Sequence, residues 1–560
     1  MLSHCTRFLA LNFLLLTLSG CATYSASLQT VFADLKKGQY QASEDQLKQV
    51  LSPSGADRLL YYLELGVIRH LNADYAASNQ AFEQAERISE QLETTSIMNQ
   101  TLAMFSNARQ ADYAGMRHEK LLINYFKALN YLGVAEQATS RKSKLDALEG
   151  ARVEARRMII KLNDLNDQLG NYDERNQKSD STYDKIINLL STIEGDVLDE
   201  DKLIYRDDAL AHYLSAVSFE MNGEYDNARI SYQKAAESYE GGYAEQFRLG
   251  SDITSQAWLD VARMMKLTGG FGEQLASIRK DKLDAEQRLQ LDSASQEDAQ
   301  LLVVEHKGFA PPLHELNIQL WADPRTRSLK MQPLNGGYDA LAWFYLLYAD
   351  KGVFNVFTAY MDASKGRPVL TPFVKTIYLG PLWSALEDIG LDKAIGGFLR
   401  VTVPYYKPPA KLGRSELTLT SAQGSQRQLL EKAASPSLMA IQQKLLTSSA
   451  EIRQSLAGAA VKALSVNSLA SSADSSGLLS LAGGLLTRLT EASETRSWQL
   501  LPADIRIRRL SLPAGEYQLA LNSALETGVT ENHQTSITLK PGEIRLWQVR
   551  SMGQTPSTDY

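Results

Sequence analysis

Tyr205 to Tyr239, reading YRDDALAHYLSAVSFEMNGEYDNARISYQKAAESY, limits what this chain can fold into more than any other stretch. Small residues stand at Ala216, Gly223, Ala228 and Ala235, and large ones at Phe219, Tyr225 and Tyr232. Two antiparallel helices lie close only where facing side chains are small, and rings must fill the gaps that remain. Asn222 and Gly223 supply a turn, because both tolerate the left-handed backbone that ends a helix. The order of sizes therefore predicts a helical hairpin turning at Gly223. A single hairpin says little about function, whereas a recurring one implies a stacked array.

The pattern recurs. Gly38, Tyr40, Ser43 and Leu47 match the turn and second helix of one unit. Tyr62, Leu65, Gly66, Tyr75, Phe82 and Ala85 match another, and Pro53-Ser54-Gly55 breaks the chain between the two. A looser third unit takes Ala111 to Gly115 as its turn. Its strong first helix is Tyr125 to Leu132, with Ala128 and Tyr131. The partner helix is Leu145 to Leu162, where Ala147, Ala151 and Ala155 share one face. Trp258 to Met265 begins a capping helix. Pro53 is the only proline between Ser27 and Ser277. This is the size order of tetratricopeptide (TPR) repeats. The expectation for residues 21–280 is an α-α superhelix with a concave groove for peptides or helices of other proteins. In the plainer alternative, the repeats only hold the second half away from a membrane. The polar run Asn163 to Asp201 reads as a surface linker. Arg152, Glu154, Arg156 and Arg157 read as a solvated face, with a partner-binding edge as the alternative.

The chain has 560 residues, 44% hydrophobic and 22% charged, which is a globular composition with room for several domains. Residues 1–20 carry the parts of a secretory leader: Arg7, then the apolar run Phe8 to Leu18, too short to span a bilayer. Leu18-Ser19-Gly20-Cys21 follows directly and resembles the lipobox of bacterial lipoproteins. That resemblance implies cleavage before Cys21 and its acylation. Ala22 after it, rather than an aspartate, implies the outer membrane. The chain's other cysteine, Cys5, leaves with the leader, so no free thiol remains for catalysis or a disulfide. A formal charge of −7, or −8 once Arg7 is removed, argues against broad nucleic-acid binding.

Asp281 to Gln300 is polar and reads as a linker over 281–300; after it the composition changes. Residues 301–555 are expected to form a mixed α+β domain, which makes the whole chain α+β. Strand patterns run over Leu301 to Val304, Leu313 to Trp321, Phe398 to Tyr405, Ser415 to Thr420, Ile505 to Leu510, Tyr517 to Leu521, Thr535 to Leu539 and Ile544 to Val549. The last four suggest a small meander or one sheet of a sandwich, turning at Pro513 to Glu516 and Pro541 to Glu543. Two helical insertions are expected, an aromatic one over 336–397 and an Ala-, Leu- and Ser-rich one over 436–488. The uncharged runs of the second, Ala463 to Ala473 and Ser475 to Thr487, fall short of spanning length.

Tyr125 to Leu132, Gly223 to Ala235, Leu302 to Pro311, Glu494 to Trp498 and Leu512 to Tyr517 are together similar to one family. It is a family of TPR-containing lipoproteins of Gram-negative bacteria with no established activity. The resemblance covers most of the mature chain and is weak over Leu334 to Gly397. It implies the architecture above and no catalytic residues. Genes of that family often neighbour an activator of peptidoglycan synthesis.

Signatures of chemistry are few. His118-Glu119 and His314-Glu315 begin H-E-x-x-H, but Leu122 and Ile318 stand where the second histidine belongs, so a metal would lack a ligand. Ser231/Lys234 and Ser277/Lys280 match S-x-x-K by chance, without its companion motifs. Glu305 and His306 end a strand, a position an active site can use. No cofactor or metal is expected. The sequence thus points to a lipid-anchored, periplasm-facing scaffold for envelope proteins. The alternatives are a regulator of a peptidoglycan or polysaccharide synthase, or a cell-wall hydrolase acting near Glu305.

Overall fold

The computed structural model describes residues 24–103, 111–168, 203–334, 337–349, 354–362, 366–388, 390, 392, 395, 399–473 and 493–553, apart from positions 206, 296 and 527. Cys21 and the run Ser475 to Thr487 lie outside the described residues, as does the greater part of Asn163 to Asp201.

The front half is helical: α1 (Gln29–Lys36), α2 (Tyr40–Val50), α3 (Arg58–Leu71), α4 (Tyr75–Ala103), α5 (Arg117–Gln137), α6 (Arg141–Gln168), α7 (Ala209–Met221), α8 (Tyr225–Ser238) and α9 (Ser251–Thr268). Helix α3 packs on α4, α5 on α6 and α7 on α8. Each hairpin then leans on the next, through α4 on α5, α6 on α7 and α8 on α9. Close approach depends on missing side chains. A Cβ on Gly66 would stand 2.5 Å from the Phe82 ring, and one on Gly150 would stand 2.5 Å from the ring of Tyr131. Gly133 lies equally tight against Tyr75. The turns also repeat. Gly38, Ala73 and Gly223 all have positive φ, at 71°, 55° and 75°. Each turn closes with the same two backbone bonds, Gly38 N–H to Leu35 O and Gln39 N–H to Asp34 O in the first. The equivalents are Ala73 to His70 with Asp74 to Arg69, and Gly223 to Glu220 with Glu224 to Phe219.

Two short helices, α10 (Gly272–Asp281) and α11 (Ala285–Ser293), lead into the strands. Helix α11 lies within the stretch expected as a linker over 281–300. Its sequence, AEQRLQLDS, consists largely of good helix formers. Asp284 accepts the Gln287 N–H at 2.8 Å, and the Gln287 side chain closes the capping box.

The strands are β1 (Ala299–Lys307), β2 (Leu313–Asp323), β3 (Ser328–Leu334), β4 (Lys375–Tyr378), β5 (Leu399–Tyr406), β6 (Ser415–Ser421), β7 (Gly424–Leu429), β8 (Glu431–Ala434), β9 (Asp504–Leu512), β10 (Gly515–Ala524), β11 (Thr530–Leu539) and β12 (Ile544–Ser551). They form three sheets, ordered β12-β1-β9-β8, β11-β10-β6-β7 and β4-β3-β2-β5. The expected meander of the last four strands is therefore split. β9 and β12 flank β1, antiparallel and parallel respectively, while β10 and β11 pair in the second sheet. β1 explains the split, because both its faces are apolar and both need cover. Ala299, Leu301 and Val303 pack with Leu417, Leu419, Leu519 and Leu521 of the second sheet. Leu302 and Val304 join the core of the helices.

The insertion expected to be helical over 336–397 is mixed. Helices α12 (Tyr338–Tyr348), α13 (Phe354–Met361) and α14 (Trp383–Asp388) enclose an extended stretch and edge strand β4. Helix α15 (Pro436–Ala473) lies along β5. Ala111 to Gly115 lies between α4 and α5. It is an irregular lead-in to α5, anchored by the buried Tyr113, whose hydroxyl donates to Glu119 at 2.7 Å.

The largest departure from expectation concerns the groove. The first sheet and the irregular segment 493–503 lie against the helices and share one hydrophobic core with them, running from Tyr24 to Ile507. Among the described residues, the face expected to stay open for a partner is covered by the chain itself. The physical reason is composition: Trp498, Leu500, Leu501, Ile505 and Ile507 leave water by joining the apolar core of the helices.

Candidate functional site

The residues expected to pack one repeat on the next differ in burial. Phe82, Ala85, Ala128, Ala228, Tyr232 and Ala235 are fully buried. Tyr131 is partly buried against Gly150. Tyr225 is the exception, 41% exposed beside the Gly223 turn.

Two seams join helices to sheet. At the front seam, carboxylates on the helices receive backbone N–H groups of segment 493–501. Glu119 accepts from Trp498 at 3.0 Å, and Glu64 accepts from Gln499 at 2.9 Å and Leu500 at 3.1 Å. The Tyr24 hydroxyl also donates to Glu64, at 3.0 Å. Rings fill the rest. Trp498 lies 5.8 Å from both Phe82 and Phe126, and His306 lies 5.6 Å from His70. Burial pushes the Glu64 carboxyl up to about 8 against the pull of its three donors. Burial drives His70 down to about 4 and His306 well below its ordinary value, with Arg550 adding to both shifts.

At the rear seam the same kind of helix position carries a full ion pair. Glu220 on α7 meets Arg509 of β9 at 2.9 Å and Arg263 of α9 at 2.5 Å. Arg263 and Arg509 also reach Asp260, at 3.1 and 3.4 Å. Tyr232 donates to Glu220 and Tyr213 to Asp260, both at 2.7 Å. Burial would raise the Glu220 carboxyl, but the two arginines outweigh it and hold the group well below the carboxylate range. Neither seam was foreseen. A signal was present, though, because Glu64 interrupts the apolar run LLYYLELGVI, and Arg509 falls on the same strand face as Ile505 and Ile507.

Over the rear seam opens a cleft of about 760 Å³, with Glu220 and Arg263 in its floor. Its walls come from the Asn222-Gly223 turn, Tyr225, the start of α6, the end of α9 and the turn at Lys540 to Glu543. Lys266 is fully engaged there, donating to the carbonyls of Leu291, Asp292 and Ala294. Two guanidiniums hold the floor carboxylate in its ionised form.

The other candidates are structural. Glu305 is fully buried inside the sandwich and accepts from Ser551 Oγ at 2.7 Å. A glycan cannot reach it, which removes it as the acid of a wall hydrolase. His118 is buried, sharing a hydrogen bond with Gln443 at 3.0 Å. Glu154 does not belong to a solvated face. It is 3% exposed, pairing with Lys127 at 3.1 Å and accepting from Asn124 at 2.7 Å. Among the described residues no three of His, Cys, Asp and Glu converge to hold a metal ion, and no helix is long and apolar enough to cross a membrane. Comparison with family models, curated proteins and solved structures finds no match.

Proposed function

We propose that the protein is a lipid-anchored scaffold of the bacterial envelope that works by contact with other proteins and not by catalysis. In this reading the helical array is TPR-like. Three turns with one geometry support it, two of them, Gly38 and Ala73, a repeat length apart. So does the fit of Gly66 against Phe82. The anchor is Cys21, acylated at the outer membrane and facing the periplasm, on the strength of the sequence Leu18-Ser19-Gly20-Cys21. The array grips its own sheets with one face, so partners meet the protein elsewhere.

The observation that carries this reading is the cleft at the Gly223 turn. Both halves of the chain wall it, Lys144, Lys540, Asp298 and Glu543 all line it, with Lys144 3.7 Å from Glu543, and its floor is chemically locked. A protein segment with charges of both signs fits such walls. A photo-crosslinking residue at Tyr225 or Lys540 tests the idea in intact cells, with Val369, 95% exposed on the distant insertion, as control. Discrete protein adducts from the two cleft positions and not from Val369 are expected. Adducts from neither cleft position, in cells where the protein is lipidated, would remove the scaffold reading.

A further inference from the structure

The two packed sheets bury apolar side chains between them except at one end. There the inward positions of β1 and β9 become Glu305, Lys307, Asp504 and Arg506. A cleft of about 570 Å³ opens at this end, large enough for a drug-sized ligand. Four cations from four parts of the chain line it: Arg248 ahead of α9, Lys411 on a loop, Lys432 on β8 and Arg506 on β9.

These cations are poorly matched from within. Arg248 to Asp362, Lys432 to Asp504 and Arg506 to Asp504 all stand at 3.9 Å. Arg263 and Glu220 at the rear seam close to 2.5 Å. Arg506 is only 8% exposed, and its Nε has no hydrogen-bond partner. A buried guanidinium N–H left so is costly unless something else accepts it. Of the three acids in the lining, Asp504 already accepts from Ser435 at 2.8 Å, and Glu526 is influenced by Lys36 of α1. Lys307, just behind, is pushed down to about 8 by burial and by the charge of Arg506 beside it. Met361, Leu412, Leu438 and Leu525 supply apolar surface to the same lining.

We propose that this cleft binds an amphiphile with a phosphate head and an apolar body. Arg506, Lys432, Lys411 and Arg248 hold the head, and Met361, Leu438 and Leu525 line the body. Several cations lining one cleft suit a head with two charges and three or more oxygens, whereas a carboxylate is satisfied by one arginine.

Isothermal titration of the purified protein with dihexanoyl phosphatidic acid tests the assignment. Dihexanoyl phosphatidylcholine and inorganic phosphate serve as the parallel arms. Phosphatidic acid is expected to bind at least tenfold tighter than either. Its affinity is expected to fall at least tenfold in Arg506→Gln and several-fold in Lys411→Gln. Lys411 lies on an exposed loop, so its variant reports on binding even where Arg506→Gln unfolds. Binding to phosphatidic acid vesicles as well as to the monomer would name the bilayer as the source; binding to the monomer alone would name a free amphiphile. Three results would overturn the proposal: equal affinity for phosphatidylcholine, equal affinity for inorganic phosphate, or wild-type affinity in a folded Arg506→Gln together with Lys411→Gln.

Discussion

The front and rear seams solve one problem in opposite ways. Both bury a glutamate from the helical array against the sheet half of the chain, Glu64 at 0% and Glu220 at 5% exposure. Glu64 meets backbone N–H groups and a tyrosine, with no cation paired to it among the described residues, and its carboxyl is pushed up to about 8. Glu220 meets two arginines and is held ionised. Burial alone therefore does not set the charge of a carboxyl; what the facing segment offers does. A strand can present a guanidinium from its pleat, as β9 does with Arg509. An irregular segment such as 493–501 has unpaired N–H groups to satisfy and presents those.

The largest effect that could break this contrast is at Arg509. Arg509→Met keeps much of the side chain's bulk but leaves Glu220 and Asp260 sharing Arg263 alone. Removing one partner of a buried pair costs about 3–5 kcal/mol, read as a lower urea midpoint at unchanged slope. A loss below about 1 kcal/mol would mean that packing, not charge, holds the rear seam.

The second test uses pH. An unfolded glutamate titrates near 4.5, and folded Glu64 titrates near 8. Between those values the folded protein keeps a proton that the unfolded chain has lost. The stability from this group is thus whole below pH 4.5 and drains away as pH rises through 8. Glu220 has the reverse sign: its contribution is present above pH 4.5 and is lost as acid protonates the carboxylate. Glu64→Gln should therefore gain on the wild type between pH 5 and pH 9, by on the order of 4 kcal/mol at about 1.4 kcal/mol per unit. His70 and His306 titrate in both proteins and cancel in the difference. A flat difference curve would place the ionised form at both seams and end the contrast.

What the sequence made legible follows from the range of the physics involved. Helix pairs and their turns are local, so Gly66, Phe82, Ala228 and Tyr232 announce themselves by size and spacing. All eight expected strands form, near their expected bounds, because alternation is local too. β4, β7 and β8 carry no such signal; β7, GSQRQL, has a single apolar residue. The pairing of β1 with β9 and β12 joins residues some two hundred positions apart, and no local pattern encodes it. The covered face of the array follows from that pairing, so it was hidden as well. The four cations that line the cleft at the end of the two sheets carry no local signal either, because each comes from a different part of the chain.

A third, smaller effect tests whether the front seam depends on the repeat packing behind it. A methyl on Gly66 meets three atoms of the Phe82 ring within 2.7 Å. That ring is fully buried, stacked at 5.6 Å on Phe126 and 5.8 Å from Trp498, so it has little freedom to retreat. Gly66→Ala should cost about 1–3 kcal/mol by overpacking and change the near-ultraviolet signal of Trp498. The loss without the tryptophan change would mean that the array yields on its own side and the seams are independent.

The smallest effect belongs to Tyr225. Its place in the repeat predicts a packing role, equivalent to that of Tyr75, which seats on Gly133. Tyr225 instead stands 41% exposed in the wall of the rear cleft. Repeat packing and cleft lining make different demands on this side chain. If it packs, Tyr225→Ala loses several kcal/mol, as large aromatic truncations in a core do. If it only lines the cleft, stability moves by about 0.5 kcal/mol or less, as at other surface positions, while any adduct formed from Lys540 in the cell weakens. The second outcome is expected, since Ala228, Tyr232 and Ala235 already close the hairpin at zero exposure without it.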